Sequence, residues 1–217
     1  MKDSFICICC RRRLARCDAK ISEEFLGLCK HCDGRIKYTG YPNLLPAKGS
    51  TSALFTPLYY KRPIKGAITR FKFMHQTRYE KIFTEILYDY LKNWNLRDDF
   101  DFITAIPISR KRYLERGYNQ TDVLARPLAE RLGMEYNGNC IYKKRHNKRQ
   151  SKLRSATLRF ENVQDAYLAD NSRVLGKKIL LMDDIYTTGA TMESCAAELL
   201  EKGAKEVVGV TLAAVIR

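Results

Sequence analysis

The 217-residue sequence predicts an α/β domain with a mainly parallel sheet and helices on both faces, preceded by a small cysteine-rich module. Two observations predict this organisation. From residue 53 onward, short apolar segments alternate with segments of helical periodicity, as in successive strand–helix units. Ahead of them, six of the eight cysteines lie in the first 32 residues. A composition of 45% hydrophobic and 29% charged residues is typical of a globular chain.

The cysteine-rich module has the spacing of a structural zinc site. Its two CxxC pairs are separated by eighteen residues and are Cys7/Cys10 and Cys29/Cys32. This spacing is typical of four-cysteine sites, in which four thiolates enclose one tetrahedral Zn²⁺ and leave no open position for catalysis. We therefore expect a zinc ribbon in residues 1–40. The alternative ligands are Cys9, Cys17 and His31, and the competing interpretation is a set of scattered reduced thiols.

Residues 41–52 are rich in Gly, Pro and Ser, and they predict a linker to a domain that spans residues 53–217. The domain begins with an apolar strand at 53–60. A helix at 80–94 follows, because seven apolar side chains share one helical face. The segment 100–108 predicts a strand ended by Pro107, and 119–132 predicts a helix in which Pro127 causes a kink or a break.

The second half of the domain continues the pattern. Strands near 140–142 and 166–169 flank a strongly basic stretch. The segment 177–184 predicts a buried strand, and apolar residues at helical spacing from Met192 to Leu200, with Gly203 as the stop, predict a helix. A last strand is predicted at 207–215. Ligands of such sheets bind at the carboxyl ends of the strands.

The net charge of +15 is concentrated in the middle of the chain. Residues 61–160 carry 23 basic and 10 acidic side chains, and the stretch 143–159 carries eight basic and no acidic ones. Such a block attracts phosphate groups of a nucleic acid or of a small polyphosphate. A solvated loop that keeps the protein soluble is the competing interpretation.

The segment ILLMDDIYTTGATM (179–192) carries the most specific signal. Asp183 and Asp184 follow a buried strand, and small and hydroxylated residues precede a helix. Unpaired amides at a helix start bind anions, and Gly189 permits a close approach of the backbone. The carboxylates suit vicinal hydroxyls or a Mg²⁺ that accompanies phosphates. The sequence has no GxxxxGK[ST] or GxGxxG motif, which argues against a P-loop or dinucleotide site.

This segment resembles the phosphoribosyl pyrophosphate (PRPP) signature of type I phosphoribosyltransferases. The whole chain resembles the ComF family of competence-associated proteins, through the cysteine module, YKRPIKGAITRFKF (60–73), RGYNQ (116–120) and several positions between 145 and 167. The resemblance implies a type I phosphoribosyltransferase-like fold. It also implies that Asp183 and Asp184 hold the ribose hydroxyls together with Mg²⁺.

The resemblance assigns further residues to the ligand. The residues that enclose the 5′-phosphate are Tyr186, Thr187, Thr188, Gly189, Ala190 and Thr191. The residues that contact pyrophosphate from the strand end and the basic stretch are Ser109, Arg110, Lys111, Arg116, Arg145, Gln150 and Arg154. Tyr113 and Tyr118 are candidates for stacking on a base, with core packing as the alternative.

Two functions follow as hypotheses. The first is a protein of DNA uptake that binds a phosphoribosyl ligand with Mg²⁺ and handles single-stranded DNA, with a DNA-translocating helicase of the competence machinery as a partner. The alternative is an active phosphoribosyltransferase of nucleotide salvage that releases pyrophosphate from PRPP. A cytoplasmic location without membrane insertion is expected, because no apolar stretch is long enough to span a bilayer and the abundant cysteines suit a reducing compartment.

Overall fold

The computed structural model describes residues 5–14, 27–40, 44–46, 49–73, 77–144 and 166–215. The strands in these ranges are β1 (Phe5–Ile6), β2 (Arg13–Leu14), β3 (Leu44–Pro46), β4 (Ala53–Phe55), β5 (Leu58–Tyr59), β6 (Phe102–Ala105), β7 (Glu135–Tyr136), β8 (Ile141–Lys143), β9 (Tyr167–Ala169), β10 (Lys178–Tyr186) and β11 (Glu206–Ala214). The helices in these ranges are α1 (Lys30–Asp33), α2 (Ile64–Phe71), α3 (Thr77–Leu91), α4 (Leu96–Asp99), α5 (Arg110–Arg116), α6 (Gln120–Leu132), α7 (Asn171–Val174) and α8 (Ala190–Glu201).

The main sheet has seven strands among the described residues, and its order is β3-β4-β11-β10-β6-β7, with β5 also paired to β11. Every pair is parallel except β3 with β4. A separate antiparallel pair, β8 and β9, brackets residues 145–165. The predicted α/β fold with a mainly parallel sheet is therefore confirmed.

Helices cover both faces of this sheet because the central strands are apolar on both sides. In β10, Leu180 and Met182 pack into the cluster that contains α2, α3 and α6. Ile179 and Leu181 pack into a second cluster with α8, β8 and β9. Successive side chains of a strand point to opposite faces, so this run of buried residues fills two cores at once.

Several element boundaries differ from the predictions. The strand expected at 100–108 spans only Phe102–Ala105. The strand expected at 53–60 is divided into β4 and β5 around Thr56 and Pro57, since Pro57 has no N–H for the ladder. The helix expected at 80–94 spans Thr77–Leu91 instead. It ends early because the chain turns at Lys92, so that the Trp94 ring meets Phe55 edge-on at 4.8 Å. The strand expected at 177–184 continues through Tyr186.

Of the kink or break expected at Pro127, the break is wrong, because α6 runs through this residue. Leu124 and Ala125 are buried before the proline, and Leu128 and Ala129 are buried after it. Packing on both sides of Pro127 thus holds the helix in place despite the missing hydrogen bond.

The cysteine-rich module lies against α2 and α3. Its buried Ile8 and Leu28 belong to the same apolar cluster as Ile82 and Phe83 of α3. A Cβ added at Gly27 would overlap the Ile82 side chain, which shows how closely the backbone of the module approaches this helix. Residues 44–46, within the predicted linker, form the edge strand β3 of the main sheet.

Candidate functional site

Strand β10 extends beyond its neighbour β6, and the region beside its last four residues, where β6 no longer pairs, is called the strand-end crevice. The two strands pair from Ile179 with Phe102 to Met182 with Ala105, and there the pairing ends. On its other side, β10 stays paired with β11 as far as Tyr186. The chain leaving β6 therefore diverges from β10 just where the two aspartates occur, and it leads to Ser109 and α5. A crevice of this kind at the carboxyl ends of parallel strands is where α/β sheets bind ligands.

Asp184 points to the α2 side of the sheet and is only 4% exposed. Its Oδ2 lies 2.9 Å from the Lys72 Nζ, just beyond the end of α2. An ionised carboxylate in such a position requires a compensating charge, and Lys72 supplies it. The ion pair joins a strand residue to a helix end that is more than a hundred residues away in the sequence.

Asp183 lies on the opposite face and is partly exposed. Its Oδ1 accepts a hydrogen bond of 2.8 Å from the Asp184 amide. Burial and the neighbouring charge of Asp184 raise the pKa of Asp183 to about 7, against the influence of the Lys72 and Arg112 charges. At neutral pH this carboxyl is thus close to the midpoint of its titration, whereas a bound cation would favour the ionised form.

Three further polar side chains lie on the Asp183 face. The Lys143 Nζ lies 3.1 Å from the Tyr167 hydroxyl and 4.8 Å from the centre of its ring. Burial lowers the pKa of Lys143 and raises the pKa values of Tyr167 and Cys195, and the Asp183 charge acts on all three. Lys143 and Tyr167 end β8 and begin β9, so the pair that brackets residues 145–165 starts beside the carboxylate.

The loop after β10 exposes hydroxyl groups at the start of α8. Thr187, Thr188 and Thr191 are exposed, whereas Gly189 is buried and precedes the first helical residue. Gly189 has φ +82°, and a Cβ at this position would overlap the Tyr186 ring, 2.7 Å from its Cζ. Only glycine fits this backbone and this contact. The amides that begin the twelve-residue α8 point toward the same loop, as in an anion site.

The basic segment around α5 is exposed over almost its full length. Ser109 caps α5 by accepting a hydrogen bond of 3.3 Å from the Arg112 amide. Arg110, Lys111 and Arg112 are exposed in its first turn. Arg116 instead contacts the Gln120 Oε1 at 2.7 Å and lies over the Phe73 ring. Its guanidinium is thus already used to hold α5 against neighbouring residues.

The two tyrosines of this region differ. Tyr118 packs edge-on against Phe71 with ring centres 6.2 Å apart, and its hydroxyl donates to the Phe71 carbonyl. Tyr118 is therefore a packing residue at the end of α2, in agreement with the core-packing alternative. Tyr113 is 52% exposed and remains available to a ligand. The predicted site residues Arg145, Gln150 and Arg154 lie outside the described residues.

The four predicted zinc ligands come together in the cysteine-rich module. The sulfur atoms of Cys7, Cys10, Cys29 and Cys32 all lie within 4.8 Å of one another. The separation between Cys10 and Cys29 is 3.8 Å. A tetrahedral zinc–thiolate site with bonds of about 2.3 Å has sulfur–sulfur separations of about 3.8 Å. The cluster is thus consistent with a zinc site.

Local backbone structure presents these sulfurs. The Cys29 sulfur accepts a hydrogen bond of 3.4 Å from the Cys32 amide at the start of α1. In the first knuckle, Arg11 has φ +65° and its amide donates to the Cys7 carbonyl at 2.9 Å, which closes the turn. A hydrogen bond to Cys7 and burial raise the pKa of the Cys9 thiol, so Cys9 favours its protonated form. His31 is exposed beside Arg35, and Cys17 lies outside the described residues.

Sequence reasoning missed the two basic side chains that connect these regions, Arg70 and Lys72. Both lie in the segment 60–73, which the resemblance singled out without a role for either residue. Their partners are distant in the sequence, and no local spacing could have indicated them. Lys143 begins the basic stretch 143–159 and Tyr167 lies beyond its end, and neither residue was assigned a role from the sequence.

Comparison with known proteins defines the class. Residues 122–216 match the family model described as "Phosphoribosyl transferase domain". A solved structure of an adenine phosphoribosyltransferase from Thermoanaerobacter pseudethanolicus shares 19% identity and a TM-score of 0.39, covering 64% of this chain and 82% of that one. The sheet topology and the family match together describe a phosphoribosyltransferase domain with a parallel α/β fold.

Curated relatives define the family more narrowly. Competence protein ComFC of Streptococcus pneumoniae is 32% identical over 200 residues, which cover 83% of this chain and 84% of that protein. Competence protein F of Haemophilus influenzae is 26% identical, with 94% of each chain covered. DNA utilization protein YhgH of Escherichia coli K12 is 34% identical over 107 residues, covering 49% of this chain and 46% of that protein. The chain belongs to the ComF family of competence proteins.

Among the residues that the structure describes, none of the helices combines the length and the apolarity needed to cross a bilayer.

The four-cysteine cluster predicts one bound zinc per chain. Protein purified without added zinc should contain about one equivalent by elemental analysis, as four thiolates around one ion require. Cys10→Ser should lose the metal, whereas Cys9→Ser should keep it, because the Cys9 sulfur lies outside the cluster. Metal-free parent protein, or equal zinc content in both variants, would contradict the assignment.

The raised pKa of Asp183 predicts a pH dependence of stability. Because this pKa is about 7 in the folded chain and 3.8 for an unperturbed aspartate, the folded state binds more protons between these values. The stability that this extra proton binding gives the folded state is complete below about pH 4 and is lost as the pH rises toward 7. We therefore measure the free energy of unfolding in urea for the ligand-free parent and for Asp183→Asn. From pH 5 to pH 8, the value for the parent should fall relative to the value for the variant. A constant difference between the two proteins would contradict the raised pKa of this carboxyl.

Proposed function

We propose that this ComF protein binds PRPP or a related phosphoribosyl ligand together with Mg²⁺, and that it handles single-stranded DNA during DNA uptake. One observation carries the first part. The buried Asp184 and the partly exposed Asp183 lie at the strand-end crevice, immediately before a glycine-led helix start with exposed hydroxyls. This combination offers acceptors for sugar hydroxyls and donors for a phosphate at adjacent positions.

Different residues of the site bind different groups of the ligand. The amides and hydroxyls of 187–191 donate to the 5′-phosphate, because the start of α8 favours negative charge. Asp183 and Asp184 accept from the ribose hydroxyls and provide oxygen ligands for Mg²⁺. Bound Mg²⁺ would neutralise charge on the pyrophosphate. The chain that leaves β6 offers three exposed cations to that same group, Arg110, Lys111 and Arg112.

The DNA-handling part rests on the family and on charge. The relatives of this chain are named as competence and DNA utilization proteins. The stretch 143–159 carries eight basic side chains in the sequence, and the first turn of α5 exposes three more, Arg110, Lys111 and Arg112. Exposed Tyr113 adds an aromatic face among these cations, and single-stranded nucleic acids bind to surfaces of this composition. The proposed protein partner is a DNA-translocating helicase of the uptake machinery.

An active salvage phosphoribosyltransferase remains the second candidate, because the paired acids and the phosphate loop are both present. In that case PRPP would lose pyrophosphate as the acceptor nitrogen bonds to the anomeric carbon. The carboxylates would stabilise the positive charge that develops on the sugar. Pyrophosphate release from PRPP across a panel of bases, with DNA binding measured on the same preparation, separates the two functions.

The first test asks whether the aspartates and the phosphate loop bind different groups of PRPP. In calorimetry, Asp184→Asn should weaken PRPP·Mg²⁺ at least tenfold by removing an acceptor and a charge, a loss expected of a charged hydrogen bond. The same variant should bind inorganic phosphate as the parent does. Gly189→Val should lose both ligands, because φ +82° and the Tyr186 ring exclude a branched side chain.

Glu201→Gln is the matched control, since this exposed carboxylate lies at the far end of α8 and its loss changes the net charge equally. Parent-like binding of PRPP·Mg²⁺ by Asp184→Asn would show that the acids are not ligand groups. Retained phosphate binding by Gly189→Val would show that the loop 187–191 is not the phosphate site.

The second test concerns single-stranded DNA. The affinity of the parent for an oligonucleotide should fall steeply as salt rises, with little sequence preference. Replacing Arg110, Lys111 and Arg112 together by alanine should reduce the slope of log affinity against log salt by about 2, close to 0.7 per phosphate contact. Replacing Lys148, Arg149 and Lys152 should have a similar effect.

The control removes three lysines at the amino-terminal edge of the same sheet, Lys177, Lys178 and Lys205. Its salt slope should remain that of the parent. Equal slopes for all the variants would show that the basic segments act only through net charge.

A further inference from the structure

The end of α2 contacts three separate parts of the molecule within four residues. Arg70 reaches the cysteine-rich module, Lys72 reaches Asp184, and Phe73 lies under the Arg116 guanidinium at 5.4 Å. Between them, the Phe71 carbonyl accepts from the Tyr118 hydroxyl. The segment 70–73 therefore connects the four-cysteine cluster, the carboxylate pair and the segment leading to α6.

Arg70 binds the first zinc knuckle directly. Its guanidinium donates to the carbonyls of Ile8 and Cys9 at 2.5 and 2.7 Å, and to the Tyr79 hydroxyl at 3.1 Å. The two carbonyls lie between Cys7 and Cys10, so their direction depends on the turn that places these sulfurs. Tyr79 is buried on α3, which fixes the guanidinium from the other side.

Lys72 takes its position from the same short segment. Its amide still donates to the Ile68 carbonyl at 3.2 Å, so its backbone caps the last turn of α2. The side chain is about one-fifth exposed, and its charge meets a carboxylate that is almost fully buried. A shift of this turn would separate the ion pair and leave the Asp184 charge uncompensated.

We propose that Lys72 is a positioning residue for Asp184, and that Arg70 couples the position of Lys72 to metal occupancy of the four-cysteine site. The metal-loaded knuckle holds Arg70, Arg70 holds the end of α2, and Lys72 then holds the carboxylate in its place at the crevice. This inference rests on the proposed function for the identity of the ligand. The coupling itself depends only on contacts within the chain.

The coupling has two consequences for binding. Removal of zinc should weaken PRPP·Mg²⁺, which needs Asp184, and should leave inorganic phosphate unaffected, because the phosphate loop contacts neither Lys72 nor the module in the described residues. PRPP·Mg²⁺ should in turn raise the affinity for zinc by the same factor, since coupling between two binding sites is reciprocal. Such coupling typically changes affinity by a factor of about 5 to 150, and we expect a factor near the lower end of this range.

The test uses the full chain, a zinc-selective chelator that spares Mg²⁺, and three variants. Lys72→Met should weaken PRPP·Mg²⁺ about tenfold, within the usual range of coupled sites, and Lys72→Arg should restore most of the loss because it keeps the charge. Arg70→Met should bind the ligand weakly whether or not zinc is present. Arg131→Met is the control, because its ion pair with buried Glu85 lies between α3 and α6 and touches neither site.

Hydrogen exchange provides a second readout without any ligand. Deuterium uptake by the peptide 178–190 should accelerate in the parent after zinc removal, whereas in Arg70→Met it should be fast with or without zinc. If the parent fails to bind PRPP·Mg²⁺, the proposed function is wrong, and this exchange measurement still decides the coupling. Unchanged exchange after zinc removal, or an Arg131→Met variant that behaves as Lys72→Met does, would overturn the inference.

Discussion

The buried charge of Asp184 is the constraint on which the arrangement of this protein depends. A carboxylate that is 4% exposed near the carboxyl end of a central strand needs a neighbouring cation to compensate its charge. Lys72 meets this requirement from the end of α2, and α2 is held there by its own buried face. The placement of one helix end thus provides the countercharge for this buried carboxylate.

The sheet topology creates the place for that charge. Strand β10 lies in the middle of the sheet, paired with β11 over its whole length and with β6 only as far as Met182. The last four residues of β10 therefore have a neighbour on one side and a crevice on the other. Asp183 and Asp184 occupy this stretch, and they face opposite sides of the sheet as the strand alternates. The partly exposed Asp183 and the buried Asp184 consequently have different surroundings, with a raised pKa for the first and a lysine partner for the second.

Local sequence signals predicted the features that are local in the structure. The four cysteines, the apolar run of β10 and the glycine at the start of α8 occur where their spacing and residue types predict. Features that depend on tertiary contacts were not predictable from such signals. The turn after Leu91 depends on packing of Trp94 against Phe55, and the unbroken α6 depends on packing around Pro127. The Lys72 and Arg70 contacts are long-range for the same reason, although they connect the two regions that were predicted.

The most direct measurement of this account is a crystal structure with PRPP and Mg²⁺. We expect the 5′-phosphate against the amides of 187–191, the ribose hydroxyls against the carboxylates, and Lys72 still in contact with Asp184. A ligand bound elsewhere, or a ligand in the crevice whose hydroxyls avoid both aspartates while Lys72 points away from Asp184, would contradict the account.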